Sequence, residues 1–484
     1  MLKERIRELE VISKQLDGTS TSRDEWTEDV IHAGLSFLDT LRQQKTYFNP
    51  VHDQSNNAPD TLWEPQETGV PMQDLLRTYQ SQIWNHGINA ASGGHFGYIP
   101  GGGLYPGALG DYLAATGNTY AGIAYASPGG AKMEEAMIRW MNAIVGWGSE
   151  AGGTLTSGGS LATLTALIAA RDQYISEPGQ LEHACIYMTP QAHHCIRKAI
   201  HLAGLNFAKI RSIRMNQDYT MNLEDLAKHL ADDHSQGMIP FMIVGSAGTT
   251  DTGVIDPMQE IAGLAHKYGT WFHVDAAYGG FFALLPELLP SFKGWEKADS
   301  IVIDPHKGLF LPYGIGAVLI RDRKKLFNSM RYSAAYMQDA EVDAMDYSPS
   351  DYSPELTRHF RSVRMWLPLK FFGINTIRAA IEEKHLLTKY LYAQLNQRGW
   401  DMGPQPTLSV FLFRIGHDPS TNALNRTIAS LIHQDGSQFI STTTLEGIFW
   451  LRIAVLSFRS HLEEADLLIQ LLEASRQKAA SIIG

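Results

Sequence analysis

Only two cysteines, Cys185 and Cys195, occur in 484 residues. They cannot build a disulfide framework, and such sparing use fits a reducing compartment. No uninterrupted apolar run is long enough to span a bilayer. The N-terminal stretch MLKERIRELEVISKQLDG is charged throughout and lacks the apolar centre of a secretory signal, so the reading is a cytoplasmic protein. Basic charge is also short. Lys and Arg number 40 against 51 Asp and Glu, a net charge of -11, which argues against nucleic acid or an anionic membrane as the main partner. Internal repeats and low-complexity tracts are missing. What remains is 44% hydrophobic and 19% charged, an ordinary globular composition on a chain too long for one small domain.

Three regions follow from the patterning. Residues 1–90 read as a mostly helical arm, with Leu2, Ile6, Leu9 and Ile12 at helical spacing, a helix over Trp26–Arg42 and a polar loop over Gln44–Pro65. Residues 91–373 read as a large α/β domain. Within it, strands alternate with helices from about 150 to 320, which predicts a mainly parallel sheet covered on both faces. Residues 374–484 read as a small α/β domain. Its helix Arg378–Gln397 leads to the strand LSVFLFRI, a helix over Leu424–His433, the strand IFWLRIAVL and a closing helix from Glu463.

Two residues in the middle of the chain carry the chemistry. WFHVDAAYG reads as a short strand with Asp275 near its C-terminal end. IVIDPHKG reads as another strand, broken at Pro305, with Lys307 just beyond it. Ligands of open α/β sheets bind outside the carboxyl ends of strands, so this acid and this amine are expected in one crevice. Alone, such a pair could be a buried salt bridge. A lysine amine can also form a Schiff base with an aldehyde cofactor while a carboxylate keeps a pyridinium nitrogen protonated, which together describe a pyridoxal phosphate site. Upstream, Ser157, Gly158, Gly159 and Ser160 open a strong helix, whose free N–H groups and positive dipole end would suit a phosphate. Thr249 and Thr250 end another buried run. His193, His194 and Cys195 are wrongly spaced for a helical zinc pair, so no metal is assigned. Gly101, Gly102 and Gly103 would let the backbone turn sharply or pass close to a ligand.

The strings HVDAAYGG and ADSIVIDPHKG resemble the group II pyridoxal phosphate-dependent amino acid decarboxylases, which include aromatic amino acid, glutamate and histidine decarboxylases. The resemblance spans most of the chain and is strongest from 150 to 370. It implies a fold type I enzyme with a seven-stranded, mainly parallel sheet, working as a homodimer across which the arm packs. It further implies that Lys307 holds pyridoxal phosphate as an aldimine, that Asp275 protonates the ring nitrogen, and that His193 in QAH stacks on the ring. Gly159 and Ser160 would contact the phosphate. Thr250, Ala277 and His306 would line the cofactor. Tyr98, Ile99 and Pro100 would lie in the substrate pocket. Decarboxylation of an L-amino acid through a quinonoid intermediate would give an amine and CO2. The alternatives are oxidative deamination to an aldehyde, carbon–carbon lyase chemistry, and a PLP-fold protein that only binds.

This sequence departs from the family pattern at several points. Ile99 and Gly122 stand where aromatics are usual, and Asp304 replaces a frequent asparagine. The family's proton-delivering loop tyrosine is expected within Arg331–Pro354. Counting back from RHFRSVRMW lands on Pro349, flanked by Tyr347 and Tyr352 as candidates.

Overall fold

The computed structural model describes residues 1–49, 60–332 and 347–483. Parts of two expected loops, Gln44–Pro65 and Arg331–Pro354, therefore lie outside the described residues. Two short strands, β1 (Tyr47–Phe48) and β2 (Gly87–Ile88), pair antiparallel, and β3 (His95–Phe96) follows. The large sheet holds β4 (Gly152–Thr156), β5 (Ala184–Met188), β6 (Lys209–Ser212), β7 (Ile239–Ser246), β8 (Trp271–Asp275), β9 (Ser300–Ile303) and β10 (Gly316–Ile320). The small sheet holds β11 (Asp401–Met402), β12 (Val410–Arg414), β13 (Phe439–Leu445) and β14 (Ile448–Ala454).

The large sheet runs β4-β10-β9-β8-β7-β5-β6. Strands β9, β8, β7, β5 and β6 are parallel neighbours, and β10 alone runs against both of its neighbours, β4 and β9. The expected seven strands are present in a mixed, mainly parallel sheet. Its residues divide by parity between two apolar layers. Ile243, Phe272, Val274, Ile301 and Ile303 enter one core, while Met242, Val244, Trp271 and Val302 enter the other. A period of two with both faces covered explains why these strands read as continuous apolar runs. Full burial of each such side chain contributes about 1.5–3 kcal/mol.

The small sheet packs a third core around Phe411, Phe413, Leu451 and Ile453. It also recruits β3, parallel to β13, from far upstream. The long helix Arg361–Gln397 crosses the expected border at 373/374 and kinks at Gly373, where φ is 75°. In the arm, the helix Leu2–Ser13 forms where the spacing predicts one but buries no residue at all, and the second helix runs Ser20–Asp39, starting and ending earlier than the expected Trp26–Arg42. Among the described residues, no helix is long and apolar enough to cross a membrane.

Candidate active site

The C-terminal ends of β4, β5, β7, β8 and β9 open onto one cavity of about 320 Å³. Its lining includes Gly159, Ser160, His193, Thr250, Asp275, Ala277, His306 and Lys307, so the residues expected to hold a cofactor meet at one place. Each arrives for a local reason. Asp275 is the last residue of β8, in register with Ser246 and Val302 on the flanking strands. The chain then turns tightly, and the Ala277 N–H donates to Asp275 Oδ1 at 3.1 Å. Lys307 sits in a single helical turn, Pro305–Gly308, entered directly from β9. Proline at the first position of that turn is preset in φ and lacks an N–H that would have no partner there.

The helix Gly159–Tyr174 begins in the cavity. Its N-cap is Gly158, which provides no side-chain cap, so the N–H groups of its first turn point at the cavity without a side-chain acceptor. His193 is the N-cap of the helix His194–Leu202, its Nδ1 accepting from the Cys195 N–H at 3.3 Å, and its ring lies 4.1 Å from that of His194. Burial pulls His193 below the usual imidazole range, with the Asp275 carboxylate pulling the other way. His306 is lowered as well, mainly by burial, while its Nδ1 contacts the Ile315 carbonyl.

These groups fit a pyridoxal phosphate. An uncapped helix end suits the phosphate, an amine reaches into the cavity, and a carboxylate closes the far strand. Gln191 Oε1 is buried there and has no hydrogen-bond partner among the described residues.

Other expectations land elsewhere. Tyr98, Ile99 and Pro100 do not line this cavity. Ile99 is buried in the main core, and Tyr98 is exposed with φ of 51°, a left-handed conformation uncommon for a residue with a side chain. The glycines after them make the close approach expected. A Cβ on Gly101 would stand 2.2 Å from the His306 carbonyl oxygen, and Gly102 and Gly103 both have positive φ. At Gly122 a Cβ would meet the Leu356 carbonyl at 2.3 Å, which explains why no aromatic is accommodated there.

The two loop tyrosines are also drawn away from the cavity. The Tyr347 hydroxyl donates to the Gly153 carbonyl at 3.0 Å and lies 3.4 Å from Glu134 Oε1. Tyr352 stacks on Tyr347 with ring centroids 5.0 Å apart. This arrangement leaves neither tyrosine lining the cavity.

Arg452 is a residue that the patterning missed. From the middle of β14 it donates to the carbonyls of Thr250 (2.9 Å) and Tyr98 (2.8 Å) and to Ser441 Oγ (2.9 Å). It thereby ties the strained Tyr98 turn to the cofactor-side loop, and burial brings its guanidinium down to about 10. Its only signal was a cation inside the apolar string FWLRIAVL.

With this geometry in hand, comparison with known proteins is informative. The pyridoxal-dependent decarboxylase conserved domain matches residues 60–414. The chain is similar to the aromatic-L-amino-acid decarboxylase of Bacillus atrophaeus, 29% identical over 82% of this chain and 84% of that one. It is also similar to the phenylacetaldehyde synthase of Petunia hybrida, 26% identical over 80% and 81% of the two chains. In fold it matches the crystal structure of Oryza sativa TDC with PLP and tryptamine, with a TM-score of 0.88 at 22% identity, covering 95% and 99% of the two chains.

Proposed function

This chain belongs to the pyridoxal-dependent decarboxylase family, and on that premise we propose that it converts an L-amino acid and a proton to the corresponding amine and CO2. The observation that carries this reading is the convergence of Lys307, Asp275 and the uncapped helix end on one 320 Å³ cavity. When bound, pyridoxal phosphate supplies an aldehyde and an electron sink for the pair left at Cα when CO2 departs.

The chain's own residues do the rest. Lys307 Nζ presents the amine that attaches the cofactor. With the cofactor bound, Asp275 would keep a proton on the ring nitrogen and His193 would pack against the ring. Ala277, with its single methyl group, leaves room for a flat ring beside Asp275. Gly159, Ser160 and the first-turn N–H groups orient the phosphate, and Thr250 borders it. His306 braces the lysine turn through the Ile315 carbonyl. Positioning of the bound substrate by these residues would lower the barrier by several kcal/mol.

A second reading, CO2 release with oxidative deamination to an aldehyde, is favoured by one observation. Both candidate tyrosine hydroxyls, on Tyr347 and Tyr352, lie outside the cavity. That reaction consumes O2 and water and releases ammonia and hydrogen peroxide. Incubating the loaded enzyme in air with a panel of amino acids separates the two. Amine and CO2 without oxygen uptake support the first reading, and aldehyde with oxygen uptake replaces it by the second.

A homodimer accompanies this reading. The fully exposed Leu2–Ser13 helix carries Leu2, Ile6, Leu9 and Ile12 on its surface, an apolar set suited to a second copy. Light scattering at the mass of one chain would remove that part.

A further inference from the structure

Asp304 stands in the crevice with one carboxyl oxygen on a lysine and the other unpartnered among the described residues. Its Oδ2 lies 3.2 Å from Lys307 Nζ and 3.8 Å from His306 Nε2. Its Oδ1 is buried and has no hydrogen-bond partner among the described residues. The carboxyl group is wedged between two glycines. A Cβ on Gly159 would stand 2.8 Å from Oδ2, and one on Gly316 would stand 2.5 Å from Oδ1. Gly159 opens the helix whose N-terminus is uncapped. Any anion drawn to those N–H groups therefore arrives beside a carboxylate that is 2% exposed.

The titratable groups that face Asp304 are few. Lys307 and His306 belong to its own turn. His193 and Cys195, from the segment after β5, feel its charge together with that of Asp275. The elements packed directly on it present the backbone of Gly159 and Gly316. Among the described residues Lys307 is thus the one close cation, and on the proposed reading it is also the amine that attaches the cofactor.

We propose that Asp304 takes up a proton when the cofactor phosphate settles at the Gly159 helix end, so that cofactor affinity is coupled to pH through this one residue. Two anions held side by side in a cavity repel, and protonating one of them relieves the repulsion. The proton has a place to go. Oδ1, buried and without a partner among the described residues, is free to carry it. The proposal rests on the reading that pyridoxal phosphate binds in this cavity.

The test measures cofactor affinity of the full-length apo-protein from pH 6.5 to 8.5, for wild type and Asp304→Asn. Pyridoxal phosphate and pyridoxal, which lacks the phosphate, are the two probes. With pyridoxal phosphate, wild-type binding should weaken relative to Asp304→Asn by up to tenfold for each pH unit, as one linked proton requires. Calorimetry in buffers of different ionisation enthalpy should show about one more proton taken up by wild type than by the variant. With pyridoxal the two proteins should give parallel curves.

Parallel curves with pyridoxal phosphate, or weaker binding by Asp304→Asn, would overturn the proposal. Should the variant not fold, wild type alone decides. Greater proton uptake with pyridoxal phosphate than with pyridoxal supports the assignment, and equal uptake defeats it. If neither protein binds pyridoxal phosphate, the cofactor reading itself fails. Binding with parallel curves removes only the role of Asp304.

Discussion

Two buried acid–base pairs lie along the large sheet, and they are built differently. Under the edge strand β4, Glu134 Oε1 accepts from Arg358 Nη1 (2.8 Å), Thr154 Oγ1 (3.1 Å) and the Leu155 N–H (3.1 Å), with the Tyr347 hydroxyl close by. Arg358 also donates to the Leu155 carbonyl, and neither side chain is more than 3% exposed. At the end of β9, Asp304 has one cation, Lys307, that is itself 23% exposed, and one oxygen without a partner. The first pair is hydrogen-bonded from several sides, as a buried charge must be if it is to hold a fold together. The second opens onto a cavity. Each pair leaves one buried atom without a partner among the described residues, Arg358 Nε in the first and Asp304 Oδ1 in the second, and what separates two ion pairs that look alike as residue types is that only the second lines a cavity.

The largest expected effect falls on the pair at the cavity. Lys307→Ala should lower CO2 release by roughly three orders of magnitude or more, since the residue acts through a covalent bond. Undiminished turnover would reverse the assignment of the two pairs. Asp275→Asn should reduce turnover by about a hundredfold or more, because a positioned proton is lost. A rate within a few-fold of wild type would remove Asp275 from the ring nitrogen.

In the Glu134–Arg358 pair, away from the cavity, the effect should appear in stability instead. Arg358→Ala leaves Glu134 buried and unpaired and should cost about 3–5 kcal/mol in denaturant unfolding. A variant as stable as wild type would show that the pair is dispensable. Tyr347→Phe removes one neutral hydrogen bond and should cost only about 0.5–1.5 kcal/mol, with the ratio of amine to aldehyde unchanged. A shift toward aldehyde would place Tyr347 back in the chemistry.

A further effect is in acid. Burial lowers His95 and His273 to about 4, so the unfolded chain binds protons that the native state refuses. Stability should therefore fall as pH drops from about 6.5 to 4, by up to tenfold in the unfolding equilibrium per pH unit for each histidine. Asp256, fully buried and raised to about 6, has the opposite sign. Its native state holds a proton that the unfolded chain releases, so it adds stability as pH falls through 6. Melting temperatures across this range check both, and a flat profile would contradict them.

Much of the site could be read from the chain alone, because its residues sit at breaks in the patterning. Asp275 and Lys307 each interrupt an apolar run, and Ser157–Ser160 stands at the junction of a strand and a helix. Helix Met258–Tyr268 has the bounds that its periodicity predicts. What escaped depends on distant partners. Nothing near Arg452 shows that it will bridge Tyr98 and Thr250. Nothing near Tyr347 shows that Gly153 will take its hydroxyl. Strand β13, FISTTTL, alternates too weakly in polarity to announce itself and is a strand because β14 and β3 pair with it. The reversal of β10 belongs to the same class, since its direction is set by how the chain returns from Lys307.

Gly101 has a genetic consequence. Its α-carbon rests on the carbonyl of His306, the residue before the lysine, so the glycine-rich loop and the lysine turn share one surface with no room for a methyl group. Any missense change at codon 101 would push directly on the backbone that aims Lys307. Such an allele would be scored as a cofactor defect although it lies far from every cofactor ligand in the gene, and a compensating change would be found around His306 rather than beside Gly101.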